Sequence, residues 1–147
     1  MKTLLRVPLL LGLWLGIWGP AAAFGDFEST AGGVDYKEPQ VGQGDSVDYG
    51  DVAVMHFVGW LAEDGARGRE IFNTRNRGEP VSFVVGTDKV MPGWNHGIIG
   101  MRAGGRRLLL IPPGLAYREP NRPEAIPADT SLMFLIELMS VEKPTGP

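Results

Sequence analysis

Few side chains in this 147-residue sequence could do conventional chemistry. There is no cysteine, so no thiol nucleophile or thiolate ligand exists. His56 and His96 are the only histidines, and neither stands at metal-ligand spacing from another ligating residue, so no metal site is expected. Ser29, Ser46, Ser82, Ser131 and Ser140 lack any setting that resembles a nucleophile elbow. The glycines between Gly97 and Gly105 follow no strand and lack the Lys-Ser/Thr ending of a phosphate loop. What the chain supplies instead is an apolar set: Phe57, Phe72, Val81, Val90, Met91, Trp94, Tyr117, Ile126 and Phe134, several of them at the mouths of loops. These residues suit either the core of a small β domain or the wall of a pocket for an apolar ligand. By themselves they leave both readings open.

The elements that must position this set can be read from punctuation and period. Pro92-Gly93 and Gly104-Gly105 bracket a stretch in which Trp94, Ile98 and Met101 recur at helical spacing, which predicts a short helix. Arg106 to Ile111 reads as a buried strand with basic residues at its entry. Val52 to Leu61 is a strand with Ala53, Met55 and Phe57 on one face and Val54, His56 and Val58 on the other. Apolar residues on both faces place it centrally. Ala62 to Glu70 reads as a polar loop, Ile71 to Thr74 as a short return strand, Arg75 to Pro80 as a turn-rich loop, and Val81 to Val85 as a strand. Thr130 to Val141 closes the chain as a long strand, with Leu132, Phe134, Ile136 and Leu138 inward. Its other face carries Met133, Leu135 and Met139, an apolar surface open to a partner. One antiparallel sheet wrapped around one short helix is the simplest way to bury this pattern.

The front end differs from the rest. Lys2 and Arg6 precede an apolar run from Val7 to Trp18, Gly19-Pro20 breaks it, and Ala21-Ala22-Ala23 supplies small residues. That order predicts a signal peptide over 1–23, with a membrane anchor as the alternative. The run is short for a bilayer span, so no stable insertion is expected after cleavage. Residues 24–45, rich in Gly and polar groups, read as a flexible tail leading into a weak edge strand, and 46–143 as the folded domain. Loss of Lys2 and Arg6 takes the net charge from -3 to about -5. With no basic block remaining, nucleic acid is not an expected partner.

Gly93-Trp94-x-x-Gly97-Ile98-x-x-Met101-x-x-Gly104, followed by Ile111-Pro112-Pro113-x-Leu115-Ala116-Tyr117, resembles the central signature of the FKBP-type peptidyl-prolyl cis/trans isomerases. Val52 to Gly59, Gly65 to Arg77, and Ile126-Pro127 with Leu132 to Leu138 resemble the flanking blocks of that family in the same order. The resemblance implies an α+β, mainly β fold: a half-open antiparallel sheet of five or six strands around one short helix, with Trp94 as a pocket floor. It implies catalytic positions at Phe57, Phe72, Asn73, Trp94, Tyr117 and Phe134, and substrate-binding positions at Val81, Val90, Met91, Ile126 and Arg77. The Tyr117 hydroxyl and the Met91 N–H would donate to substrate carbonyls. It further implies proline-containing polypeptide substrates, ligands of the macrolide type such as tacrolimus, and no cofactor, for a chain read as a monomer; together with the signal-peptide pattern over 1–23, the chain is read as an exported bacterial member, periplasmic or secreted. The family usually carries Tyr at Phe57, Asp at Asn73, a large aromatic at Val81, Gly at Arg118 and His at Arg122, and a shorter Gly59–Phe72 connection. These departures frame a second expectation, a weakened module that binds proline-containing or unfolded segments without useful turnover.

Overall fold

The computed structural model describes residues 27–145. The expected signal peptide, 1–23, lies outside the described residues. In chain order the elements are strands β1 (Glu28–Ser29), β2 (Asp35–Gln40), β3 (Val52–Glu63) and β4 (Ala66–Asn73), helix α1 (Thr74–Arg77), strand β5 (Val81–Val84) and helix α2 (Pro92–Gly97). Strand β6 (Arg106–Ile111), a 3-10 turn over Pro113–Leu115 and strand β7 (Leu132–Glu142) complete it. The strands form one antiparallel sheet in the order β1-β2-β6-β7-β3-β4, with β5 also paired to β3. β3 is therefore central, as its two apolar faces require: β7 pairs with it from Val52 to Leu61, while β5 and then β4 pair along its other edge.

The sheet has seven strands among the described residues rather than five or six. The surplus comes from the segment read as a flexible tail. Val34 is fully buried, Asp35–Gln40 pairs with β6, and β1 folds back on it. Glycine and charge disguised this stretch, because its short strands lie at the sheet's margin and follow one apolar anchor rather than an alternating pattern. The polar loop expected over Ala62–Glu70 is likewise a hairpin. Asp64 (φ 51°) and Gly65 (φ 74°) both take left-handed conformations between paired Glu63 and Ala66, the two-residue turn that Asp-Gly favours. The Arg75–Pro80 loop begins as the single turn of α1.

The core lies between the concave face of the sheet and α2. Ala53, Met55 and Phe57 of β3 and Leu132, Phe134, Ile136 and Leu138 of β7 point into it, as their alternation requires. On the convex face Trp60, Leu108 and Met133 form a second, smaller cluster, with Phe27 packed against it. The apolar surface expected at Met133, Leu135 and Met139 is thus largely consumed: only Met139 is exposed, at 46%.

Helix α2 sits unusually close to β6. A Cβ on Gly93 would fall 2.4 Å from Ile111 Cγ2, and one on Gly97 would fall 2.6 Å from Leu109 Cδ1. Both partners are fully buried. The helix end is then tied down by Arg107, which the sequence placed at a solvent-side strand entry. Arg107 is instead buried: its Nη1 donates to the carbonyls of Gly97 and Ile99, both at 2.9 Å. Nη2 reaches the Glu38 carboxylate at 3.3 Å, and the guanidinium lies 4.4 Å over the Tyr36 ring. The planar guanidinium, with its donors in a fixed fork, holds two orphan helix-end carbonyls and a carboxylate at once while stacking on the Tyr36 ring.

Gly93→Ala forces a methyl group against the β-branched, fully packed Ile111 and is expected to cost about 1–3 kcal/mol, as core overpacking does. Gly114→Ala, where a Cβ meets nothing within 4 Å, is expected to be neutral within about 0.5 kcal/mol. Urea unfolding midpoints of the two variants make the comparison.

Candidate active site

α2 carries Trp94 onto the concave face, where it is enclosed by rings. Phe57 of β3 meets it edge-on at 4.6 Å between centroids, Phe134 of β7 at 5.4 Å and 87°, and Phe83 of β5 at 5.9 Å. Phe72 of β4 extends the cage, 6.4 Å from Phe57 and 6.5 Å from Tyr117. The edge-to-face contacts of Trp94 with Phe57 and Phe134 each add about 0.5–1.5 kcal/mol beyond the area they bury. The Trp94 Nε1–H is buried with no hydrogen-bond partner among the described residues.

Above the indole lies a cleft of about 470 Å³, lined by Val90, Met91, Trp94, Ala116 and Tyr117 among others. Tyr117 follows the 3-10 turn, and partial burial raises its phenol above the usual value of 10.0, so the hydroxyl stays protonated and able to donate. Met91 is the residue before Pro92, the first of α2; its carbonyl accepts from Trp94 N at 3.0 Å, and its own N–H has no acceptor among the described residues. The cleft thus combines an aromatic floor with two free donors at its mouth. No group of ligating residues that could hold a metal is found among the described residues.

Five of the expected catalytic positions, Phe57, Phe72, Trp94, Tyr117 and Phe134, are therefore brought into one ring cluster. Ile126 and Met91 are buried in the same core, with Val81 and Val90 packed against it. Asn73 and Arg77 are placed differently. Asn73 caps α1, its Oδ1 accepting from Arg75 N at 3.0 Å while Nδ2 donates to Glu70 at 3.1 Å. Arg77 is exposed in the last turn of α1 and makes no ion pair among the described residues.

A family model described as FKBP-type peptidyl-prolyl cis-trans isomerase matches residues 44–139. The chain belongs to that family. It is 43% identical over 94 residues to FK506-binding protein 2 of Yarrowia lipolytica, covering 63% of this chain and 62% of that one. It is 37% identical over 125 residues to human peptidyl-prolyl cis-trans isomerase FKBP2, covering 80% and 85%. Among solved structures, FkpA from Escherichia coli superposes with a TM-score of 0.68 at 34% identity, covering 80% of this chain and 52% of that one. AtFKBP13 gives 0.66 at 32% identity, covering 78% and 98%. The chain thus spans about half to two thirds of the length of some relatives and nearly all of others. Because these relatives come from a yeast, human and a bacterium, membership of the FKBP-type family assigns no compartment.

Several residues that shape this FKBP-type site escaped the sequence reading. Phe83 stands two residues from Val81 on β5, and that spacing was the available signal. Asn95 is buried: its Oδ1 accepts from Gly86 N at 2.8 Å and its Nδ2 donates to Thr87 O at 2.7 Å, tying α2 to the loop that precedes it. Thr74 is buried too. Its Oγ1 accepts from Phe57 N at 2.9 Å and contacts His56 Nδ1 at 2.8 Å, which fixes β3 where Phe57 enters the cage. Glu38 and Tyr36, which brace Arg107, lie outside the span matched by the family model.

Asn73→Ala removes the α1 cap and is expected to lower stability by about 1 kcal/mol, the usual cost of losing such a cap. Chemical denaturation measures it; a change below about 0.3 kcal/mol would mean that the cap does not hold α1.

Proposed function

We propose that this chain is a peptidyl-prolyl cis-trans isomerase that assists the folding of exported polypeptides. The observation that carries the reading is the aromatic floor at Trp94 beneath an open cleft whose mouth holds two unspent donors, Met91 N–H and Tyr117 O–H. Rotation about an X-Pro bond is opposed by about 18–20 kcal/mol of amide resonance. Its cis and trans forms differ by only about 0.5–1 kcal/mol. A catalyst therefore needs no nucleophile, only tighter binding of the twisted bond than of either planar form. The planar amide is the more dipolar, so a prolyl ring seated on Trp94 among phenylalanines loses more solvation in the ground state than in the twisted state. Donors at the mouth hold the flanking carbonyls still while the bond turns. Macrolides of the tacrolimus type fit the same cleft as competitors, and the chain acts as a monomer.

Phe57, Phe72, Trp94, Phe134 and Tyr117 act as the catalytic wall, with Val81, Val90, Met91 and Ile126 in contact with the substrate. Asn73, already bonded to Arg75 and Glu70, shapes the Phe72 wall from behind, and Arg77 lies beyond it at the exposed end of α1. The reading is tested with a protease-coupled proline-peptide assay on the purified chain. Tyr117→Phe is expected to lower turnover severalfold with the thermal midpoint unchanged, because the hydroxyl has no hydrogen-bond partner among the described residues. Unchanged turnover would remove Tyr117 from the role of carbonyl donor. Binding of the peptide without turnover in the parent chain would favour the weakened-module alternative. Because the folded phenol titrates above the unfolded one, its protonated form is present at every pH below about 10, and the stability it contributes is lost only as pH rises beyond that. Turnover is accordingly expected to be flat from pH 6 to about pH 9.

The export part of the proposal rests on Lys2, Arg6, the apolar run and Ala21-Ala22-Ala23. It places the mature chain in a periplasm or outside the cell, beginning at Phe24. Intact mass of the exported protein tests this, and retention of residues 1–23 would point to an anchored protein instead.

A further inference from the structure

The cleft over Trp94 does not end at Tyr117. A second lobe of about 270 Å³ adjoins it, lined by Tyr49, Thr87, Asn95 and His96, and the two lobes share Asp88, Val90, Pro92 and Arg118. This partition adjoins the cleft over Trp94, within reach of residues that flank a proline seated there. We propose that Arg118, assisted by Lys89, makes the site selective for polypeptides that carry a carboxylate side chain within two residues of the proline. This rests on the isomerase reading and names the substrate class of that same site.

The charges facing the partition support it. Arg118 is exposed; its guanidinium makes a single 3.4 Å bond to Gly114 O and no ion pair among the described residues. Lys89, on the first lobe, has no hydrogen bond or ion pair among the described residues either. Asp88 opposes them as one carboxylate against two cations. Glu119 and Arg122, farther along the same loop, bind each other and cancel. His96, on the second lobe, contacts the Tyr49 hydroxyl at 3.1 Å. The rim is thus locally positive on a chain whose net charge is -3. The whole-molecule field would favour a basic substrate, so preference for an acidic one can arise only from the rim. Arg is suited to the task, because its fork takes both oxygens of a carboxylate at once.

Blocked hexapeptides with a central Leu-Pro are compared, with Glu, Ala or Lys placed two residues before or one residue after the proline. Their cis/trans exchange is followed by NMR with catalytic amounts of the full chain. At low salt the Glu peptide is expected to be turned over about three- to fivefold faster than the Lys peptide at one or both positions, as for an exposed ion pair. The ratio should fall towards one in 1 M salt, where the screening length shrinks to roughly 3 Å. Arg118→Gln should likewise lower it, Arg118→Lys should retain part of it, and Arg118→Glu should invert it. A ratio at or below one for the parent chain at low salt overturns the proposal, as does a Glu preference that Arg118→Gln leaves intact. The salt series needs no variant, so it stands even where a substitution impairs folding. Failure to turn over any peptide, the Ala one included, would instead sink the isomerase reading and this inference with it.

Discussion

The close seating of α2 on β6 is the constraint on which the remainder of the site depends. A six-residue helix has little stability of its own, since nucleation is unfavourable and few bonds repay it. It persists because two glycines four residues apart let its backbone lie against Ile111 and Leu109. At that distance Trp94 cannot lie along the sheet and turns instead towards Phe57 and Phe134. Arg107 then satisfies carbonyls at the helix end, and Asn95 fastens the helix to the loop carrying Val90 and Met91. Glycine spacing, a buried arginine and a buried amide together hold the indole at a fixed height beneath the cleft.

This arrangement explains why the chain carries no recognisable catalytic dyad. Bond rotation requires no proton transfer and no covalent intermediate. On the proposed reading, what matters is a dry floor of fixed shape and donors that remain free until a substrate arrives. The Trp94 N–H is buried without a partner among the described residues, and the Met91 N–H at the cleft has no acceptor among them. The strands that brace the floor reach beyond the span shared with the family model: Glu38 and Tyr36 of β2 hold Arg107, and through it the end of α2.

Much of this was legible in the sequence where a local rule sufficed. Pro92-Gly93 and Trp94 marked the start of the helix, although it ends at Gly97 and leaves Ile98 and Met101 buried beyond it, and alternation on β3 and β7 assigned the inward faces without error. Reading failed where a residue's meaning came from a distant partner. Arg107 looked like a surface charge because nothing local shows that it meets helix carbonyls and a glutamate 69 residues away. Asn73, expected at the pocket wall from the family pattern, also caps the turn that follows it, a local role that the sequence reading did not name. Asp64-Gly65 is the opposite case. Its hairpin signal was present, but polar neighbours masked the strands on either side. Residues 27–40 were read as a tail with one weak strand, and the pairing of β1 with β2 was missed because these short polar strands, preceded by the single buried anchor Val34, show little alternation.

The central claim is that a substrate proline rests on Trp94 inside the ring cluster. Intermolecular nuclear Overhauser contacts between a bound, isotope-filtered Leu-Pro peptide and the labelled protein test it most directly. Contacts from the proline ring protons to the Trp94 indole, with others to Phe57 and Tyr117, are the predicted result. Proline contacts confined to the convex face, around Val58 and Leu135, or absent from Trp94 while the peptide is demonstrably bound, would contradict the account.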